Sequence, residues 1–152
     1  MNAISYLTSE HHDQERLLQT LEEASTKEAR QQVYDMFRDE LVKHVNIEEE
    51  IFYPRVKAHE HLKLKAQEAL EEHNLIMQLL QELDMEETDQ LVWKAKLKVL
   101  KDLNNRHVRY EEDELFPSVE DFASLEYLEK MGSEMVEHKK KVDPDEVLHP
   151  ND

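Results

Sequence analysis

His44-Val45-Asn46-Ile47-Glu48-Glu49-Glu50-Ile51-Phe52-Tyr53-Pro54 returns 63 residues later as His107-Val108-Arg109-Tyr110-Glu111-Glu112-Asp113-Glu114-Leu115-Phe116-Pro117. A second pair of stretches repeats 62 residues apart: Glu10-His11, Leu17-Leu18-Gln19 and Leu21 match Glu72-His73, Leu79-Leu80-Gln81 and Leu83. The chain is therefore a helix with a His, a loop and a helix with His-x3-Glu, used twice. Two such hairpins about a pseudo-twofold axis make a four-helix bundle.

Working outward from the repeat, apolar residues recur at helical spacing along each unit. Helix 1 carries Ile4, Leu7, Leu18 and Leu21, and helix 2 carries Val33, Phe37, Leu41, Ile47 and Ile51. Ser25-Thr26-Lys27-Glu28 reads as a capping box between them, and Pro54 as the stop of helix 2. Leu62, Ala66, Ala69, Ile76, Leu80 and Leu83 form the stripe of helix 3; helix 4 starts near Thr88-Asp89 and carries Trp93, Leu97 and Leu100 towards Pro117. Ser124 is the expected N-cap of a shorter fifth helix with Leu125, Leu128 and Met135. The expected architecture is all-α: an up-down-up-down bundle over residues 1–142, with pseudo-repeats at about 1–57 and 62–120, and a loose tail at 143–152.

The polar residues of the repeat occupy core slots. His44 and Glu48 lie four apart on one helix face, as do His107 and Glu111, and these positions continue stripes otherwise filled by Leu and Phe. His11 and His73 interrupt their stripes in the same way. At ~1.5 Å per residue, His11 is about 20 Å from the first loop and His44 about 25 Å back from it, and the second hairpin gives similar distances. Six ionisable groups in one core layer cost several kcal/mol each unless they are paired or hold a cation. Four imidazoles and two carboxylates exceed one tetrahedral site and suit two metals bridged by both carboxylates. The expected ligands are His11, His44, Glu48, His73, His107 and Glu111.

Glu15, four after His11, is a candidate seventh ligand; Gln14 and Asn104 are expected to hydrogen-bond ligating residues. Phe52, Tyr53, Tyr110 and Phe116 read as packing. His12, His59, His61, His138 and His149 read as solvated, and the runs after Glu48 and Glu111 as solvated faces. Lys139-Lys140-Lys141 balances a helix C-terminus.

Composition narrows the alternatives. The 152 residues hold one Gly and four Pro, too few turn residues for sandwiches, barrels or dinucleotide-binding folds. No Cys is present, so any metal is held by nitrogen and oxygen. A net charge of −17 argues against a nucleic-acid partner, and the lack of a long apolar run or apolar leader leads us to expect a cytoplasmic chain, away from membranes.

Glu10-His11, His44 to Pro54, Glu72-His73 and His107 to Pro117 together resemble the hemerythrin-like (HHE cation-binding) family over about Met1 to Val119. The resemblance implies a non-haem di-iron centre bridged by two carboxylates and an oxo or hydroxo group, with O₂, NO or peroxide as small ligands. Oxygen-carrying members resemble a five-His site; here Met77 stands where their second helix-3 His would be, and the helix-4 carboxylate is spaced differently from Glu111. The four-His, two-Glu set is more similar to the branch associated with iron-centre repair and nitrosative or oxidative stress, whose members often carry a Cys-containing N-terminal segment. The implied function is an iron-binding protein, monomeric or homodimeric, that binds or senses O₂ or NO or handles iron under stress. The rivals are a di-iron oxidase, peroxidase or NO-reducing enzyme, and a structural bundle stapled by zinc or manganese.

Overall fold

The computed structural model describes residues 1–151 and contains no strand among them. Helix α1 spans Ala3–Glu23 and α2 Lys27–Ile47. A π turn, Glu48–Phe52, continues α2 directly into α3, Tyr53–Lys57. After a 3₁₀ turn, Glu60–Leu62, come α4, Lys63–Asp84, and α5, Leu91–Tyr110. A second π turn, Glu111–Leu115, leads into α6, Phe116–Phe122. Helix α7 spans Leu125–Lys139 and α8 Pro144–Leu148. The order α1, α2, α4, α5 runs round an up-down-up-down bundle, with α7 laid across α1 and α2.

Side-chain caps set several helix starts. Asn2 Oδ1 accepts from Ser5 N–H at 2.9 Å, Thr26 Oγ1 from Ala29 N–H at 3.1 Å and Ser124 Oγ from Tyr127 N–H at 3.1 Å. Thr26, not Ser25, is the cap of α2, and α5 begins two residues after Asp89. Pro54 does not stop helix 2. The π turn before it accommodates a residue without an N–H, so Pro54 falls in the first turn of α3, where no donor is missed. Pro117 does the same for α6.

The tail is docked, not loose. Asp143 Oδ1 caps α8, Leu148 is completely buried, and its carbonyl accepts from Gln81 Nε2 at 2.8 Å. Arg38 joins Asp145 at 2.6 Å and Asp84 at 3.1 Å, and His149 Nε2 lies 2.6 Å from Asp84. The sequence alone missed this because the segment is too short to show a period. Asp152 lies outside the described residues.

The core is divided in two. One apolar cluster gathers Leu7, Phe52, Tyr53, Ala69, Phe116 and Met135 at the end covered by α7; the other gathers Leu18, Phe37, Leu41, Ile76, Trp93 and Leu148 towards the loops. Between them lies a polar layer made of His11, His44, Glu48, His73, His107 and Glu111, all buried. The single glycine explains how α7 fits: a Cβ on Gly132 would lie 2.4 Å from the Met1 carbonyl oxygen, so α7 and the start of α1 meet where only a bare Cα fits.

Candidate metal centre

All six expected residues converge on the polar layer. Atoms of His11, His44, Glu48 and Glu111 lie within 4.8 Å of one another, and so do atoms of Glu48, His73, His107 and Glu111. Two four-residue clusters thus share both carboxylates. His11 comes from α1, His44 from α2, His73 from α4 and His107 from α5, while Glu48 and Glu111 open the two π turns. Tyr53 N–H bonds to the Glu48 carbonyl and Phe116 N–H to that of Glu111, the i→i+5 pattern found where a helix bulges at a functional position.

Each imidazole is oriented by a carboxylate on its Nδ1. His44 Nδ1 lies 2.9 Å from Glu10 and His107 Nδ1 2.9 Å from Glu72, each within one hairpin. His11 Nδ1 lies 2.7 Å from Glu112 and His73 Nδ1 2.9 Å from Glu49, each across the two hairpins. The Nε2 atoms consequently all turn inward, His11 towards Glu111 at 3.0 Å and His73 towards Glu48 at 3.0 Å. His73 and His107 bring their Nε2 atoms to 3.1 Å from each other. His44 Nε2 and Glu48 Oε2 are buried without a hydrogen bond.

Glu10, Glu49, Glu72 and Glu112, the partners of the four Nδ1 atoms, were given no role of their own in the sequence reading, although the repeat duplicates all four. Glu49 and Glu112 were expected on a solvated face because a neighbour in an α-helix points about 100° away. The wider π turn narrows that angle, so consecutive glutamates reach a ligand and its supporting position. Glu15 is exposed and outside both clusters, which removes it as a seventh ligand. Gln14 and Asn104 are buried in the adjoining layer and make no hydrogen bond to any of the six residues; both polar atoms of Gln14 lack a partner.

Tyr53 is more than packing. Its hydroxyl donates a short hydrogen bond to Glu111, and its ring meets His73 edge-on at 5.5 Å. Burial, then the charges of Glu111 and Glu48, push its phenol well above the ordinary value and keep it a neutral donor. The repeat places Phe116 at the equivalent position, stacked parallel to His11 at 6.0 Å, so the two halves of the centre differ. His12 and His61 are exposed, as expected; His59 instead stacks on Phe122 at 3.6 Å, and His138 Nε2 lies 2.7 Å from Asn46.

The charges in this layer fit a cation. Burial works to lower the pKa of His44, but Glu48 and Glu10 outweigh it and hold it at about 10; His73 and His107 are raised for the same reason. Burial opposes ionisation of Glu48, yet the neighbouring imidazoles keep its carboxyl well below the usual range. Without a metal, protons on the imidazoles face the buried carboxylates. With one, the inward Nε2 lone pairs and the two carboxylates supply nitrogen and oxygen donors, and the outer carboxylates complete the carboxylate–histidine–metal pattern.

The sequence profile of the Hemerythrin HHE cation binding domain matches residues 2–119. The chain belongs to the hemerythrin HHE family. A solved member, a hemerythrin HHE cation binding domain-containing protein from Mycobacterium kansasii, superposes with a TM-score of 0.81 at 25% identity, covering 93% of this chain and 86% of that one. A DNA nickase from Nostoc sp. is 25% identical over 142 residues. This HHE chain spans only 40% of that protein's length, though the match takes in 93% of its own. No helix among the described residues is long and apolar enough to cross a membrane.

Proposed function

We propose that this HHE domain binds two iron ions in its core and uses them to bind or sense O₂, NO or peroxide, or to handle iron under oxidative or nitrosative stress. The observation that carries the reading is the paired polarity of four histidines. Every Nδ1 is taken by a carboxylate, and every Nε2 faces the shared carboxylates Glu48 and Glu111. His11 and His44 would hold one ion, His73 and His107 the other, with Glu48 and Glu111 between them. Iron there would supply an exchangeable position for a small ligand and a change of oxidation state. Imidazole and carboxylate also suit manganese and zinc, so iron rests on the kinship with the HHE family.

This chain's own residues prepare the site. The four outer carboxylates hold the imidazoles in the tautomer that presents Nε2 inward, and the two apolar clusters flank the layer on either side. Tyr53 holds one oxygen of Glu111, which leaves the other free to face His11. DNA nicking is not carried over from the Nostoc protein, since a chain of net charge −17 repels a phosphate backbone.

Metal analysis of the protein from its native source, with a UV–visible spectrum before and after exposure to air, tests the proposal. Two irons per chain and oxo-bridge absorption near the ultraviolet edge support it. Zinc, or no metal with a flat spectrum, rejects iron chemistry and leaves a structural bundle. Sustained turnover with a reductant would mark an enzyme; a stoichiometric spectral change marks a binding protein or sensor.

A further inference from the structure

Helix α7 covers one hairpin of the bundle, and the other hairpin carries no such cover. α7 crosses α1 where Gly132 meets the backbone of Met1 and Asn2, and it joins the apolar cluster of Ile47 through Leu128, Met131 and Met135. Its last turn places Lys139 on Glu10. The repeat makes Asn2 equivalent to Leu64, Ile47 to Tyr110 and Glu10 to Glu72. Among the described residues no helix is laid across α4 and α5 at those equivalent positions.

An open groove of about 520 Å³ stands there instead, lined by Leu64, Glu68, Glu71, Glu72, Arg106 and Tyr110 among others. Leu64 is 72% exposed, and Tyr110 is half-buried with its hydroxyl 3.3 Å from Glu68. Leu75 and Val99, 51% and 55% exposed, continue the same rows of α4 and α5 at steps of three and four. Apolar side chains gathered on one face and rimmed by charge mark an interaction surface. The rim is acidic: the groove is lined by three carboxylates, and Arg106 beside Glu72 is the cation among the lining residues. A second copy of this chain would bring another net charge of −17 against that rim, so the charges favour a cationic occupant.

We propose that the α4–α5 groove docks a cationic amphipathic helix of a partner protein, in the place that α7 holds on the first hairpin. The apolar side of that helix covers Leu64 and Tyr110, and its basic residues meet Glu68 and Glu71. This face is more polar than the one under α7, since the repeat puts Lys65 where Ala3 stands and Glu114 where Ile51 stands. Such polarity suits a partner that comes and goes, whereas permanent interfaces are more apolar. A helix seated here lies against Glu72, the carboxylate on His107 Nδ1, as α7 lies against Glu10 behind His44. Docking requires no metal in the layer, so it stands or falls separately from the iron reading.

The probe is a fluorescent peptide of residues 125–141 with Glu126, Glu129, Glu134 and Glu137 replaced by lysine, which keeps the apolar side of α7 and makes the helix cationic. Its anisotropy is titrated with the full chain at physiological salt, beside a scrambled peptide of the same composition. Expected are micromolar binding of the ordered peptide and an affinity lowered roughly tenfold by Leu64→Asn and roughly fivefold by Glu71→Lys. Met36→Asn, at an exposed position of α2 outside the groove, should stay within about twofold of wild type. Unfolding midpoints check that each variant is folded. Absence of binding, equal binding of the scrambled peptide, or an affinity unchanged in both groove variants overturns the proposal. So does a wild-type chain that sediments as a dimer and becomes monomeric with Leu64→Asn, because a second copy then covers the face.

Discussion

Lys139 Nζ, at the end of α7, lies 2.7 Å from Glu10 Oε2, and the other oxygen of Glu10 lies 2.9 Å from His44 Nδ1. The fifth helix therefore reaches the metal layer through one carboxylate. Glu40 also joins Lys139 at 2.8 Å, and although burial works to lower its ammonium pKa, the two carboxylates together push it up. In the other hairpin the exposed Arg106 takes this place beside Glu72 at 3.3 Å. Lys139→Met should leave both metals bound but weaken the one at His44 by about threefold to tenfold, less than the 10–100-fold typical when a directly supporting residue is lost. Competitive titration with a chelator reads this. An equal effect from Arg106→Met would show that the two cations act alike.

His44→Ala and His107→Ala are each expected to reduce metal uptake to one ion or none, whereas His12→Ala, on the exposed neighbour of His11, should retain two. Glu49→Gln and Glu112→Gln are the more telling variants. Each keeps its shape and loses the charge that orients an imidazole across the hairpins, so affinity should drop about 10–100-fold. Unchanged affinity in both would return these residues to the solvated face.

Metal uptake should release protons, and its affinity should rise with pH. In the metal-free protein His44 is held at about 10, and His73 and His107 are also raised, so protons compete with metal for these imidazoles and are displaced on binding. The raised His44 stabilises the metal-free fold fully below its ordinary value near 6.5, and that contribution fades as pH rises through 10. Glu10 and Glu72 are lowered, so their contribution is present above about 4.5 and is lost as pH falls below it. Melting curves with and without metal should therefore diverge as pH increases from 6 to 9. Curves that stay parallel would mean that protons and metal do not compete for these residues.

Gly132→Ala should destabilise the fold by about 1–3 kcal/mol, since its Cβ would meet backbone rather than a movable side chain. The loss should be seen in denaturant midpoints with little change in metal stoichiometry, because Gly132 lies in the far apolar end.

Leu148→Ala should cost about 2 kcal/mol, the low end for a buried leucine, because a short terminal helix can partly relax into the gap. If the tail were loose the variant would match wild type in thermal unfolding. Arg38→Met, which removes the bridge between Asp84 and Asp145, should weaken the same docking.

Much of the fold and centre was legible because a bundle core imposes a period of three and four that a repeated polar residue visibly interrupts. His11, His44, Glu48, His73, His107 and Glu111 stand on stripes, and their duplication at matched offsets places them in one layer. The supporting glutamates were less legible. Glu49 and Glu112 reach inward only because the helix widens at the π turn, a departure from the very periodicity on which the reading depended. The repeat itself sets Tyr53 opposite Phe116, but both sit just beyond that turn, where the straight-helix register no longer holds, so what each ring touches was not legible.

By itself the sequence determined the helical class, the doubled hairpin and the six residues that share a level, since each follows from local periodicity and helix rise. Tertiary structure alone decided which carboxylate orients which imidazole and that α8 docks. These depend on distances between elements far apart in the chain, where packing chooses among arrangements that local propensity leaves equal.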